Sequence, residues 1–114
     1  MAIAVATTRQ ALADKYATLA TFFGLATGNP GTSSTPANEA SGGAYTRVAG
    51  VWSSATGGVV NSTACTIGAN AGTYTHAPLC STASGNTMID WAAIVSTILS
   101  AAGQIVLSPS YAQT

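Results

Sequence analysis

Hydrophobic and polar residues follow two different periods along this chain of 114 residues. Near the start, Leu12, Tyr16 and Leu19 recur at the spacing of one helix face, and Thr7 can cap the first turn. We therefore predict a helix over residues 8–20, with this apolar stripe packed on the sheet or on a neighbouring molecule. The helix is short, so packing must hold it in place.

Beyond the helix, apolar and polar residues alternate in short runs that glycine-rich turns separate, which is typical of half-buried strands. Residues 29–43 differ, because two prolines, three glycines and many small polar side chains predict a loop. The predicted strands cover residues 21–28, 44–55, 59–68, 73–81, 87–95 and 104–109. Pro78 predicts that the fourth of these is an edge strand or carries a bulge, since proline cannot donate to a strand ladder.

The pattern predicts a mainly β fold, either a small antiparallel β-sandwich or a jelly-roll-like barrel, with a short N-terminal helix. A single domain is expected for residues 1–114, because a chain of this length can bury one modest core. Residues 1–20 are the N-terminal arm and residues 21–108 the sandwich. The tail, residues 109–114, is predicted to lean on a neighbour or to fray.

The composition is unusual for a domain of this kind. Only 5% of the residues are charged, against about 25% in ordinary domains, and the formal net charge is zero. Such a surface does not attract nucleic acid or an acidic membrane, so neither partner is expected. Near-zero net charge favours association, and the composition therefore predicts a component of an assembly.

Neither a secretory signal nor a membrane span is expected. The first residues lack a basic segment, and polar residues interrupt their apolar run. Residues 91–107 carry no charge, but they include several polar side chains and fall short of the roughly 20 apolar residues that a span needs.

The residues that carry chemistry are few. His76 is the one histidine, and it is expected to be a half-buried strand residue with a hydrogen-bonded ring nitrogen. The chain contains no nucleophile elbow, no phosphate-binding glycine motif and no cluster with metal-ligand spacing. We predict no catalytic residue, no metal site and no cofactor, so the protein is not expected to be an enzyme.

Cys65 and Cys80 are the only cysteines, and their spacing matches no zinc or redox motif. They are expected to be small buried hydrophobic residues. The alternative is one disulfide, formed after the protein leaves a reducing compartment.

Two of the six charged residues, Glu39 and Arg47, lie on either side of the pair Gly42 and Gly43. Charge is scarce in this chain, so we predict that Glu39 and Arg47 pair with each other or with a neighbouring chain and thereby fix the glycine hinge. Partial burial is implied, because an exposed pair contributes only about 0–1 kcal/mol.

Residues 20–108 resemble a family of small virion proteins of tailed bacteriophages, common in phages of actinobacteria. Seven features carry the resemblance: a Thr-Gly turn, a Glu-x-Ser-Gly-Gly-x-Tyr-x-Arg segment, an aromatic strand, an asparagine before an alternating strand, a Thr-His strand, a small-Ser-Gly-Asn turn and a final apolar hairpin. They fall at residues 27–28, 39–47, 51–52, 61–67, 75–76, 83–86 and 87–107. Around the Thr-His strand the chain departs from the family pattern.

The resemblance implies a structural role in the virion, and the family includes both tail-fibre and capsid-decoration proteins. The chain has neither heptads nor collagen repeats for a fibre stem. We therefore expect a capsid decoration, or minor capsid, protein that is made in the bacterial host cytoplasm and binds the capsid surface. Its expected partners are the major capsid protein and other copies of itself, in three-fold clusters.

Two alternatives remain at this stage, a tail-fibre or baseplate component and a small glycan-binding module. Exposed aromatic residues in a shallow groove would favour the glycan module. Trp52 and Trp91 are candidate contact residues if they lie on the surface, and the alternative is that at least one lies in the core. The residues predicted to form an interface are Glu39, Arg47, Tyr45, Trp52 and Tyr111.

Overall fold

The computed structural model describes residues 2–114 and is mainly β, with one helix and nine strands in that range. This confirms the predicted fold class. In chain order, the elements are α1 (Ala6–Leu19), β1 (Phe22–Phe23), β2 (Val48–Ala49), β3 (Trp52–Ser54), β4 (Val59–Ser62), β5 (Cys65–Ala69), β6 (Gly72–Cys80), β7 (Met88–Leu99), β8 (Gly103–Leu107) and β9 (Ser110–Ala112).

The strands form three antiparallel sheets, with the orders β2-β1-β6-β7, β3-β4-β9 and β5-β8. Side chains from several strands meet in one core, where Phe23, Leu25 and Ile67 are fully buried. Only a few residues link β5 to β6 and β7 to β8. Because these links are short, the end of the β5-β8 pair at Ala69 and Gly103 lies close to the end of the β6-β7 pair at Gly72 and Leu99.

The predicted packing face of α1 is confirmed for Tyr16, which packs against the core, but is wrong for the two leucines. Leu12 and Leu19 are 44% and 41% exposed, whereas Ala13 is fully buried. The cap is also wrong, because the helix begins after Val5 without a side-chain cap. The buried face carries Gln10, whose amide group bonds the backbone of the β3–β4 turn, and the small Ala13 allows this close approach.

Two predicted strands are each split in two. Residues 44–55 form β2 and β3, which belong to different sheets, and residues 59–68 form β4 and β5, which also belong to different sheets. At the first break, the ring of Phe23 occupies the space where Gly50 would carry a side chain. Alternation continues through both breaks, so the sequence pattern does not reveal where the chain changes sheets.

Pro78 lies in β6, which pairs on both sides, so the prediction of an edge strand is wrong. The alternative prediction, a bulge, is confirmed by register shifts on either side of residues 76–79. The Pro78 carbonyl accepts from the Gly24 N–H at 2.9 Å, on the side where β1 has already ended at Phe23. The missing N–H of Pro78 faces that same side and costs the sheet little.

The tail does not fray. Residues 110–112 form β9, which pairs with β4, and the Gln113 N–H bonds the Gly58 carbonyl at 2.8 Å. The predicted strand over residues 87–95 is confirmed but is longer, since β7 continues to Leu99. The helix of the described residues is neither long nor apolar enough to cross a membrane.

Candidate functional site

A buried polar cluster forms where the long loop, residues 29–43, meets β2. The Glu39 carboxylate accepts two hydrogen bonds from the Arg47 guanidinium, at 2.7 Å from Nε and 2.9 Å from the terminal nitrogen. This bidentate geometry is the strongest that the two groups can adopt. The predicted pairing of Glu39 with Arg47 is therefore confirmed.

The guanidinium of Arg47 also ties down the β6–β7 loop. It donates to the carbonyls of Gly85 at 2.9 Å and Thr82 at 3.2 Å, and more weakly to the Thr87 hydroxyl. Together with the bonds to Glu39, these bonds occupy all five donors of the guanidinium. Arg47 is only 8% exposed, so its bonds act within the chain.

Tyr45 completes the cluster. Its hydroxyl donates to Glu39 at 2.7 Å and accepts from the Leu25 N–H at 3.2 Å, which connects the cluster to the segment after β1. The hydroxyl lies so close to Gly24 that a methyl group there would overlap it. A residue with a side chain at position 24 would therefore displace Tyr45. The cluster as a whole joins three separate segments of the chain.

The electrostatics of the cluster follow from this geometry. Burial raises the pKa of Glu39, but the hydrogen bonds from Arg47 and Tyr45 outweigh it and lower the pKa below its ordinary value. The bond to Glu39 raises the pKa of Arg47. Burial, together with the bond to Glu39, raises the pKa of the Tyr45 hydroxyl. Glu39 is thus an anion and Arg47 a cation at neutral pH.

The glycine hinge lies directly before this cluster. Gly42 and Gly43 have φ values of +77° and +58°, which L side chains rarely adopt, and the Tyr45 N–H closes a tight turn on the Gly42 carbonyl. A side chain on Gly43 would also overlap Asn70. The scarce charges therefore lie beside the hinge because they anchor the chain just before and after a turn that only glycine can make.

A second cluster is aromatic and lies between α1, β3 and β9. The rings of Tyr16 and Tyr111 stack at 3.7 Å, and Tyr16 meets Trp52 edge-on at 6.3 Å. Trp52 also meets Phe23 at 5.6 Å, and its indole N–H donates to the Ala20 carbonyl at 2.7 Å. These contacts attach the helix and the C-terminal strand to the core.

Next to the aromatic cluster is a cleft of about 300 Å³, between β7 and the segment that links β8 to β9. Phe23 and Leu79 lie at its floor, and Tyr111 lines one side. Trp91 also contributes to the lining, but its ring lies on the opposite face of β7 from Asp90, where it meets His76 and bonds the Gly31 carbonyl. Asp90 also lines it, with its carboxylate accepting from the Tyr16 hydroxyl at 2.8 Å. Burial, followed by that bond, raises the pKa of Tyr16, which is therefore a neutral donor.

Strand β7 is the outermost strand of its sheet and exposes large apolar side chains. Val95 is 88% exposed and Ile98 is 75% exposed. Edge strands usually carry charges or prolines that block further pairing, yet residues 91–99 contain neither. The far half of β7 is therefore an apolar, uncharged surface.

The remaining candidates for chemistry occupy structural positions. As predicted, His76 is half-buried in a strand with a hydrogen-bonded ring nitrogen, its Nδ1 lying 2.8 Å from the Thr75 hydroxyl. Its ring also meets Trp91 edge-on at 5.1 Å. Cys65 and Cys80 are buried free thiols. Burial raises the pKa of Cys80 to about 11, so this thiol is protonated at neutral pH. Residues 2–114 contain no group of three or more side chains suited to holding a metal ion.

The structure brings the predicted interface residues together in two separate groups. Glu39, Tyr45 and Arg47 form the polar cluster, whereas Trp52 and Tyr111 belong to the aromatic one. Their role at an interface stays a prediction.

Sequence reasoning missed the exposed residues of β7 and the position of Asp90 in the cleft. One signal for β7 was present in the sequence. In residues 87–99, apolar side chains occur at both odd and even positions, so both faces of the strand are apolar. Such a pattern is typical of a strand that is covered on both faces, whereas the isolated chain covers only one. Comparison with protein-family models, with curated proteins and with solved structures found no match for this chain.

Proposed function

We propose that this protein is a structural component of a bacteriophage virion, a capsid decoration protein that binds and reinforces the capsid surface. The virion context comes from the sequence resemblance of residues 20–108. The choice of a binding protein rests on one observation, the exposed apolar edge of β7 around Val95 and Ile98. Burying such side chains against a partner is favourable, and no charge in residues 91–99 opposes it.

The polar cluster supports the same function in a different way. Arg47 connects the long loop, β2 and the β6–β7 loop through bonds within the chain. A protein that reinforces a lattice works best with a rigid binding surface, because less conformational freedom is lost on binding. The cluster thus supplies rigidity, and the surface of β7 supplies the contact.

The aromatic residues favour a protein-binding role over a glycan-binding module. The indole N–H groups of Trp52 and Trp91 both donate to carbonyls of the chain, at 2.7 and 2.8 Å. Tyr16 and Tyr111 stack on each other. These rings are engaged within the fold and do not form an open platform on which a sugar could stack.

The test is to locate the chain in purified particles by reconstruction. Density on the capsid shell supports the proposal, whereas density confined to the tail contradicts it and favours the tail-fibre or baseplate alternative. A biochemical form of the test adds purified protein to isolated heads and to isolated tails and measures co-sedimentation. Binding to heads alone is expected.

A pair of variants connects the test to β7. Ile98→Lys places a charge in the exposed apolar surface and should weaken binding to heads. Val51→Lys is the matched control, because Val51 is also well exposed, at 65%, but lies between β2 and β3. If both variants bind heads as the wild type does, the surface of β7 is not the contact.

A further inference from the structure

Asp90 differs from the other charged residues in its position along the chain and in its surroundings. It is the only charged residue after Arg47. Among residues 2–114 the one ion pair joins Arg47 to Glu39, so neither Asp90 nor Asp14 has a cationic partner, and of the two it is Asp90 that lines the cleft. The carboxylate accepts from the Tyr16 hydroxyl and from the Trp91 N–H, both at 2.8 Å, and both donors are neutral.

The cleft beside Asp90 suits the long side chain of a basic residue. Its floor is apolar, formed in part by Phe23 and Leu79, and can take an aliphatic stem. Its lining also includes Tyr111, an aromatic residue of the kind that attracts cations. The cleft volume of about 300 Å³ lies at the lower end of the range for small ligand sites.

The edge of β7 beyond Met88 is open to an additional strand, whereas the Met88 N–H itself bonds the Ser34 carbonyl of the long loop at 3.0 Å. β7 is the last strand of its sheet, so alternate backbone groups point away from β6. The N–H of Trp91 is one of them, since it bonds the Asp90 side chain in place of a neighbouring strand. An extended segment laid along this edge would place its own side chains over the cleft.

We propose that the edge of β7 and the cleft at Asp90 together bind an extended segment of a partner protein, with a lysine or arginine side chain of that segment inserted beside Asp90. The charge of the occupant follows from the uncompensated carboxylate. Its extended form follows from the unpaired strand edge. The identity of the partner as a capsid protein rests on the proposed function, whereas the chemistry of the site does not.

The experiment uses capped peptides of the sequence Thr-Val-Lys-Val-Thr, titrated into the protein while the backbone and indole ¹H–¹⁵N signals are recorded. Saturable shifts at Trp91 and its neighbours in β7 are expected. The matched peptide has norleucine in place of lysine and keeps the aliphatic stem without the charge. We expect it to bind about fivefold more weakly. Free n-butylammonium tests the cleft without a strand and is expected to bind more weakly than the lysine peptide.

Asp90→Asn is the decisive variant, because the amide oxygen can still accept from the Trp91 N–H and the amide NH2 can donate to the Tyr16 hydroxyl oxygen, while the charge is lost. It should remove the preference for lysine over norleucine. Asp14→Asn is the control, since Asp14 also accepts two side-chain bonds but lies on α1, away from the cleft. This variant should bind the lysine peptide as the wild type does.

Three results would overturn the proposal. They are equal binding of the two peptides to the wild type, an unchanged preference in Asp90→Asn, and saturable shifts that map away from β7. Binding of butylammonium as tight as that of the lysine peptide would contradict the strand contact. All these measurements need only the isolated chain. The proposed function can fail, through absence from the capsid, while the site itself is confirmed.

Discussion

Glu39 and Asp90 are two carboxylates in opposite situations within the same small fold. Glu39 is largely buried and receives two bonds from a guanidinium and one from a tyrosine. Asp90 is exposed at the mouth of an apolar cleft and receives bonds from neutral donors only. The first carboxylate has a cationic partner within the chain, and the second has none among residues 2–114.

The same difference holds for the regions around them. Near Glu39, polar groups lie inside and hold three segments together, although the segments themselves have little regular structure. Along β7, the secondary structure is regular, yet large apolar side chains lie outside. Charge therefore holds the fold together where regular pairing is absent, whereas the longest strand exposes an uncharged apolar surface.

The largest effect is expected from removing the cation of the buried pair. Arg47→Met leaves Glu39 buried without a counter-charge and leaves the Thr82 and Gly85 carbonyls without their donor. We expect a loss of about 3–5 kcal/mol in the free energy of unfolding, measured by urea denaturation. Lys15→Met, at an exposed position on α1, is the control and should change little. A loss below 1 kcal/mol, on the order of an exposed pair, would mean that the cluster does not hold the segments together.

A smaller effect is expected from crowding the cluster without changing its charges. In Gly24→Ala the new methyl group overlaps the Tyr45 hydroxyl, and we expect a loss of about 1–3 kcal/mol in the free energy of unfolding. Gly103→Ala is the matched control, because a methyl group at Gly103 meets only ordinary contacts, the nearest atom at 3.7 Å. Equal urea midpoints for the two variants would contradict the tight packing around Tyr45.

The pH dependence should separate the two carboxylates further. The folded pKa of Glu39 is lowered, so its contribution to stability is complete above its unfolded pKa of about 4.3 and is lost as the pH falls through the folded value. In Arg47→Met, burial without the guanidinium raises the pKa of Glu39. The buried carboxylate without a partner then lowers the free energy of unfolding of this variant at neutral pH. The stability gap between wild type and variant should narrow on acidification from about pH 7 to about pH 3. A gap that stays constant over this range would show that Glu39 is not the partner of Arg47 in solution.

The smallest effects on stability are expected along β7. Asp90→Asn and Ile98→Ser should each change the free energy of unfolding of the monomer by less than about 0.5 kcal/mol, because both side chains are exposed. The measurement is urea denaturation of the isolated chain at low protein concentration. A large loss in either variant would place that residue in the fold rather than at a contact surface.

Several features of this protein follow from the sequence alone. Short alternating runs between glycine-rich turns predict a mainly β fold, and the composition of residues 29–43 predicts the loop. The pairing of Glu39 with Arg47 follows from scarcity, since a chain with six charges has few partners for a buried one. These predictions succeed because they depend on composition and on local periodicity, and both can be read directly from the sequence.

Other features were decided only by the tertiary structure. The buried face of α1 is the one with Ala13, because Gln10 can bond the β3–β4 turn only if the helix lies close to it. Pro78 is accepted in a central strand because β1 ends where the missing donor would be needed. The exposure of Val95 and Ile98 depends on which strand is last in its sheet. Alternation specifies which residues share a face, but the order of strands decides which face meets water, and that order arises from contacts between residues far apart in the chain.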